Sequence, residues 1–173
     1  HQEFMHTVQA VAEENGSVLS YLPIDGTAVF PADEEFTPLW RQLAAGRKVL
    51  TFGGAGADVT AVSAQWANSA WQVQVQTPQG VFDCALHIAG RHNVRNALAA
   101  TASALAAGVP LAAIAQGLTA FEPVKGRSRS TSVVCAGRRI DVVDDTYNAN
   151  PDSVQAAIAV LAELPAPRLL VLG

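Results

Sequence analysis

The chain has 173 residues, of which 50% are hydrophobic and 15% are charged, and its formal net charge is −4 at pH 7. This apolar content excludes a disordered chain, and the lack of any run of about 20 apolar residues excludes a membrane-spanning helix. The acidic balance argues against a general affinity for nucleic acid, and two cysteines are too few for a disulfide framework, which favours the reducing cytoplasm.

The first third of the chain predicts alternating helices and strands. Apolar residues recur at helical spacing over residues 7–15, and we expect Gly16 to end that helix. Strands are predicted over residues 27–31 and 48–52, on either side of a helix over residues 35–45. A strand–helix–strand unit favours a parallel sheet.

The middle of the chain changes to a period of two. Residues 58–66, 71–77 and 81–88 are typical of strands, and a Pro-Gln-Gly turn signal separates the last two. In the middle strand apolar residues alternate with glutamines, so one face is buried and the other is hydrated. A run of three glycines in residues 53–56 is predicted to be a flexible turn, because strand-like residues follow it instead of the helix that a dinucleotide loop needs.

The last third predicts helices and two further strands. One helix is expected over residues 92–107, and a second runs from about Pro110 to residue 117. Two strands over residues 130–135 and 138–143 precede a helix over residues 152–164.

Both ends of the chain are interpreted as cut. Residues 168–172 predict a buried parallel strand, which needs neighbouring strands to satisfy its backbone groups. The chain opens at His1 without a methionine. We therefore expect a fragment of a longer protein.

Residues 90–100, Gly-Arg-His-Asn-Val-Arg-Asn-Ala-Leu-Ala-Ala, form a segment that we call the amide motif. Asn93 and Asn96 fall on one face near the start of a predicted helix, and an amide offers both a donor and an acceptor to the edge of a purine. The alternative is that His92 or Asn93 caps the helix. The residues alone do not decide between purine binding and helix capping. The predicted buried stripe of this helix is Val94, Leu98, Ala102 and Leu105.

Two further segments carry polar chemistry. The arginine loop, residues 126–129, holds two arginines, whose planar donors suit a phosphate but equally suit a hydrated surface. The acidic motif, residues 144–153, follows a predicted strand and reads Asp-Asp-Thr-Tyr-Asn-Ala-Asn-Pro-Asp-Ser. Its Asp145 can accept from ribose hydroxyls or organise a metal-bound water. Asn150 is expected to cap the next helix and Pro151 to occupy its first position.

In this order, the three segments resemble the Mur ligase family, and the resemblance covers nearly the whole chain. The acidic motif is most similar to the member that joins D-alanyl-D-alanine to UDP-N-acetylmuramoyl-tripeptide. The resemblance implies an α/β fold in which residues 1–125 are the second half of a central ATPase domain, a parallel sheet with helices plus a β-meander. It implies that residues 126–173 begin a Rossmann-like C-terminal domain, with a hinge near Gly126. The N-terminal domain and most of the C-terminal domain are then missing.

The resemblance also implies the chemistry. Members of the family use ATP and Mg²⁺ to convert a substrate carboxylate into an acyl phosphate, which an amine, here that of D-alanyl-D-alanine, attacks to form an amide bond. Carried over by position, Asn93 and Asn96 contact the adenine and Asp145 holds the ribose. Arg127 reaches the phosphates. His1 matches a catalytic histidine that helps to bind a magnesium ion.

The sequence departs from the family in two ways. The phosphate loop is absent, and residues 13–16, where many relatives place a carbamylated lysine, read Glu-Glu-Asn-Gly. We therefore expect this chain alone to have no ligase activity. The alternatives are another ligase of the superfamily, such as a folylpolyglutamate-type enzyme, and a non-catalytic nucleotide-binding module.

Overall fold

A five-stranded sheet and a separate two-stranded hairpin organise the computed structural model, which describes residues 7–147, 149–164 and 166–172 but not the side chain at position 152. The strands of the sheet, in spatial order, are β1 (Thr27–Pro31), β2 (Lys48–Gly53), β3 (Val59–Ala67), β4 (Ala70–Thr77) and β5 (Gly80–Leu86). The hairpin pairs β6 (Arg129–Cys135) with β7 (Arg138–Asp144). The helices are α1 (Val8–Ser17), α2 (Thr37–Leu43), α3 (His92–Ala106), α4 (Leu111–Ala120) and α5 (Pro151–Glu163), with a short 3₁₀ turn over Val18–Tyr21.

The sheet is parallel at one end and antiparallel at the other. Strands β1, β2 and β3 run parallel, whereas β3, β4 and β5 form an antiparallel meander. On β4, the valines Val73 and Val75 are buried and the alternating Gln72 and Gln76 are exposed. The predicted α/β class, the strand–helix–strand unit and the β-meander are therefore confirmed.

The connection from β2 to β3 is short for parallel neighbours, which ordinarily need a crossover of a dozen residues. The two strands share only two register pairs. Beside them, Asp58 Oδ2 accepts hydrogen bonds from the backbone N and the Oγ1 of Thr51, both at 2.7 Å. Burial alone would raise the pKa of Asp58, but these hydrogen bonds outweigh it and hold the pKa below its ordinary value. The glycine run is thus a turn, as predicted, and a carboxylate that the sequence analysis did not anticipate closes it.

Helix α3 covers the sheet and supplies much of its core. Its predicted stripe is buried, and the stripe packs with the inward side chains of the central strands. A smaller cluster lies around β1 and comprises Leu19, Ala28, Phe30 and Ala44. Within the described residues, no helix is long and apolar enough to cross a membrane.

Gly16 does not end α1, contrary to expectation, because α1 continues to Ser17. A Cβ at this position would lie 2.8 Å from atoms of both Trp40 and Leu43. The indole Nε1 of Trp40 also donates to the carbonyl oxygen of Ala12 at 3.0 Å. This glycine therefore permits close packing of α1 on α2, a role that its position alone does not reveal.

The strand predicted over residues 168–172 is also wrong. These residues adopt no regular structure, and Leu169 and Val171 are 84% and 82% exposed. Among the described residues no strand lies beside them, so their backbone has no ladder to join. The other predicted elements are present with small shifts of their bounds.

Polar contacts join the hairpin to the sheet. Ser69, in the turn between β3 and β4, is 9% exposed, and its Oγ lies 2.8 Å from both Ser132 Oγ and Asp141 Oδ1. Arg139 Nη2 donates to the same Ser69 oxygen at 3.2 Å. A single antiparallel bridge between Ile88 and the first residue of β6 adds a second attachment.

Candidate functional site

The structure brings the amide motif, the arginine loop and the acidic motif together. The backbone N of Ala89, just before the amide motif, donates to the carbonyl oxygen of Ser128 at 3.0 Å. The backbone N of Ser128 donates in turn to Asp145 Oδ1 at 2.9 Å. Val160 of α5 reaches Gly90, where an added Cβ would lie 2.9 Å from its Cγ2. Three segments that are far apart in sequence thus form one surface.

The asparagines of the amide motif interact with each other. Asn93 Nδ2 donates to the carbonyl oxygen of Ala89 at 2.7 Å, and Asn96 Nδ2 donates to Asn93 Oδ1 at 3.0 Å. The residue that precedes α3 is Arg91, and no side chain caps the helix. Capping by His92 or Asn93 is therefore wrong, and the two amides line one helix face as their spacing predicts.

The two amides differ in what they can offer a ligand. Asn93 is half-buried, and both polar atoms of its side chain are engaged. Asn96 is exposed, and its Oδ1 accepts no hydrogen bond from the described part of the chain. Asn96 can present an acceptor and its second amide hydrogen to a planar ligand, while Asn93 fixes its orientation.

Carboxylates of the acidic motif hold the arginine loop in place. The backbone N of Gly126 donates to Asp144 Oδ2 at 3.2 Å, and the N of Tyr147 donates to the Gly126 oxygen at 3.0 Å. Gly126 has a φ of +79°, and a Cβ there would lie 2.9 Å from the N of Tyr147. Only glycine fits this close approach with a left-handed conformation.

Asp144 and Asp145 accept hydrogen bonds from different residues of this loop. The hydroxyl of Thr146 donates to Asp144 Oδ1 at 2.7 Å and is the main cause that lowers the pKa of Asp144. Asp145 follows β7 directly, as predicted, and its Oδ1 accepts from both the N and the Oγ of Ser128. Its Oδ2 accepts from no group in the described segments, so that oxygen can receive hydroxyl donors.

Arg127 is an exposed cation of this surface. Its guanidinium carbon lies 3.8 Å from the ring centre of Tyr147. Across residues 7–147, 149–164 and 166–172, no carboxylate lies within ion-pair distance of Arg127. Its donors can therefore bind an anion.

Sequence reasoning missed the role of Arg95, which lies on α3 between the two asparagines. Arg95 Nη2 donates to Asp33 Oδ1 at 2.8 Å and to Glu34 Oε1 at 2.6 Å. Asp33 Oδ2 also accepts from the N of Gly54 at 3.1 Å. The start of α3 is thus tied to the carboxyl ends of β1 and β2. No local pattern signals this contact, because the partners are about 60 residues apart.

His1 lies outside the described residues, so its predicted catalytic and metal-binding roles stay predictions. Within the described residues, no three side chains of His, Cys, Asp or Glu come together in a way that would hold a metal ion. The surface described above offers donors and acceptors for an organic anion.

The chain is similar to a known family and to named proteins. Residues 1–104 match the model of the Mur ligase middle domain. The chain is 37% identical over 175 residues to UDP-N-acetylmuramoyl-tripeptide–D-alanyl-D-alanine ligase of Escherichia coli (strain K12), a match that covers 100% of this chain and 38% of that protein.

Solved structures of MurF proteins are also similar to this chain. A crystal structure of MurF from Acinetobacter baumannii has a TM-score of 0.79 and 34% identity, covering 95% of this chain and 35% of its own. MurF ligase from Thermotoga maritima in complex with ADP has a TM-score of 0.73 and, at 23% identity, shows likeness of fold alone; it covers 95% of this chain and 37% of that one. The chain thus spans less than two fifths of these relatives.

Proposed function

The chain belongs to the Mur ligase family, and from this premise we propose that it is part of an ATP-dependent ligase that joins D-alanyl-D-alanine to UDP-N-acetylmuramoyl-tripeptide in peptidoglycan precursor synthesis. The named relative from Escherichia coli, matched along the whole chain, supports this substrate pair. The Asp-Thr-Tyr-Asn-Ala-Asn sequence of the acidic motif also supports it.

One observation carries the proposal, namely the convergence of three polar segments through the pair of hydrogen bonds that links Ala89 to Ser128 and Ser128 to Asp145. A purine edge, a ribose and a phosphate chain need three different chemistries close together. Amides, a carboxylate oxygen and an unpaired guanidinium are the groups that meet here.

Each group then has a distinct role. Asn96 presents its amide edge to the adenine, and Asn93 holds that amide in position through their 3.0 Å hydrogen bond. Asp145 uses its free oxygen for the ribose while its other oxygen secures the arginine loop. Arg127 neutralises the phosphates. When bound, ATP supplies the phosphoryl group that activates a substrate carboxylate toward an amine.

Within the described residues no three His, Cys, Asp or Glu side chains form a metal-binding cluster, and His1 lies outside those residues. We propose that His1 helps to bind Mg²⁺, as the resemblance to the family implies. We also propose the boundary near Gly126 between a central and a C-terminal domain. Because the chain has only two cysteines and both are free, we propose a cytoplasmic location.

Nuclear magnetic resonance titration of the isotope-labelled chain tests nucleotide binding. ADP is expected to shift the side-chain amides of Asn93 and Asn96, the backbone amide of Ser128 and the Nε–H of Arg127, whereas adenosine, which has no phosphates, is expected to shift only the asparagines and Ser128. Asn96→Ala is expected to weaken binding of both, since the purine contact is common to them. Ser103→Ala, an exposed position further along α3, is the matched control. Shifts confined to other residues, or an Asn96→Ala variant that binds like the wild type, contradict the proposal.

A further inference from the structure

The contact between Arg127 and Tyr147 is not one of the nucleotide contacts proposed above. The two residues belong to different segments, the arginine loop and the acidic motif. The guanidinium carbon lies 3.8 Å from the ring centre, so the arginine is stacked on the aromatic face. Tyr147 is 64% exposed, so core packing does not account for its aromatic ring.

The backbone fixes both partners of this stack. Tyr147 donates its N–H to the oxygen of Gly126, the residue before Arg127, at 3.0 Å. Asp144 and Asp145 receive the donors of Gly126 and Ser128, the residues that flank Arg127 on either side. One oxygen of each carboxylate is therefore bonded to the loop backbone, and no carboxylate among the described residues lies within ion-pair distance of the guanidinium.

We propose that Tyr147 is a positioning residue that holds Arg127 extended and open for the phosphates of a nucleoside diphosphate. This inference rests on the proposed function. Stacking occupies a face of the guanidinium and leaves its in-plane N–H donors free, which are the donors that bind phosphate oxygens. The stack also restricts a long side chain before the ligand arrives, so less conformational freedom is lost on binding. The phenol hydroxyl has no part in this role.

The test compares Tyr147→Leu, which removes the aromatic face, with Tyr147→Phe, which keeps it. Affinities for ADP and for adenosine are measured on the full chain by the same titration. We expect Tyr147→Leu to bind ADP about two- to fivefold more weakly, the range of an exposed cation–π contact, and to bind adenosine unchanged. Tyr147→Phe is expected to bind both like the wild type.

Each other outcome counts against a stated claim. If the wild type binds ADP and Tyr147→Leu binds it equally well, the positioning role is wrong and the proposed function stands. Equal weakening toward ADP and adenosine indicates a structural role and also overturns the inference, as does a Tyr147→Phe variant that behaves like Tyr147→Leu. Failure of the wild type to bind ADP overturns the nucleotide-binding roles proposed for Asn96, Asp145 and Arg127.

A second measurement does not depend on the Tyr147→Leu variant. Ring currents of Tyr147 are expected to shift the side-chain Nε–H and Cδ–H resonances of Arg127 upfield in the wild type, and Tyr147→Phe is expected to keep that shift. Arg127 resonances at the positions of a free arginine would overturn the stack even if Tyr147→Leu failed to fold.

Discussion

The five-stranded sheet buries Val73 and Val75 of β4 to 2% exposure or less, whereas the hairpin leaves the paired Val133 and Ile140 at 47% and 46%. The first region is therefore stabilised by removing apolar surface from water. The second is attached through hydroxyls, carboxylates and a guanidinium around Ser69.

The two parts of the candidate site differ in the same way. Asn93 and Asn96 stand on a helix whose other face is anchored in the core. Arg127 and Asp145 stand on segments ordered mainly by hydrogen bonds. A packed helix gives a fixed reference surface, and a hydrogen-bonded segment can be released at low cost, because each such bond contributes only about 1 kcal/mol net. The comparison predicts different responses to mutation on the two sides.

The largest effect is expected on the sheet side. Leu98→Ala empties a site that is 4% exposed beneath α3 and should lower the free energy of unfolding by about 2–5 kcal/mol. Val134→Ala in the hairpin, at 78% exposure, should change it by no more than about 0.5 kcal/mol. Urea denaturation of both variants is the measurement, and equal losses would remove the contrast.

A smaller effect is expected at the junction. Ser69→Gly deletes the hydroxyl shared with Ser132 and Asp141 but suits the backbone φ of +59°, and should cost about 0.5–1.5 kcal/mol. Asn68→Gly, at the adjacent turn position with a φ of +53°, is the matched control and should be neutral or stabilising. Faster amide exchange in β6 and β7 for Ser69→Gly alone is the expected readout; no difference between the variants would contradict the role of this hydroxyl.

Acid should loosen the same junction. Hydrogen bonds from Ser132 and then Ser69 lower the pKa of Asp141 in the folded chain. Its stabilisation is therefore present above the unfolded pKa of about 4 and is lost as the pH falls through the lower folded value. Amide exchange measured from pH 6 downward should show β6 opening before β4, and Asp141→Asn should remove that pH dependence. Simultaneous opening of both strands contradicts it.

The smallest effect is expected at the Arg95 ion pairs. The side chains of Arg95 and Asp33 are 41% and 40% exposed, so solvent screens the attraction. Arg95→Leu should cost about 0.2–1 kcal/mol, and high salt should reduce the difference from the wild type. Arg138→Leu, at an exposed hairpin position, controls for loss of one positive charge. A loss well above 1 kcal/mol would show that this contact belongs with the buried core.

Local sequence patterns predict most of the fold, because the period of a helix or a strand is set by residues close together in sequence. The buried stripe of α3 and the alternating valines and glutamines of β4 follow from that spacing. Gly16 was misinterpreted because its partner Trp40 lies on another helix, and local pattern cannot show a tight contact between elements. The strand expected over residues 168–172 failed for a similar reason, since a strand depends on a neighbour that its own residues do not specify.

The candidate site divides in the same way. The spacing of Asn93 and Asn96 predicted their shared face, and their direct hydrogen bond agrees with it. The tie from Arg95 to Asp33 and the stack of Arg127 on Tyr147 join residues far apart in sequence, so only the folded chain shows them. Their roles toward a nucleotide stay predictions until binding is measured.

The carboxylate that closes the turn between β2 and β3 has a practical consequence for protein engineering. Asp58 fastens the base of the turn to Thr51, while the apex at Ala55 and Gly56 is exposed and an added Cβ at Gly56 meets no atom within 4 Å. New chain termini or a reporter peptide placed at the apex would leave the hydrogen bonds between Asp58 and Thr51 intact. Deleting one apex residue would instead move Asp58 out of register with Thr51 and break their hydrogen bonds. We therefore expect the turn to tolerate lengthening better than shortening.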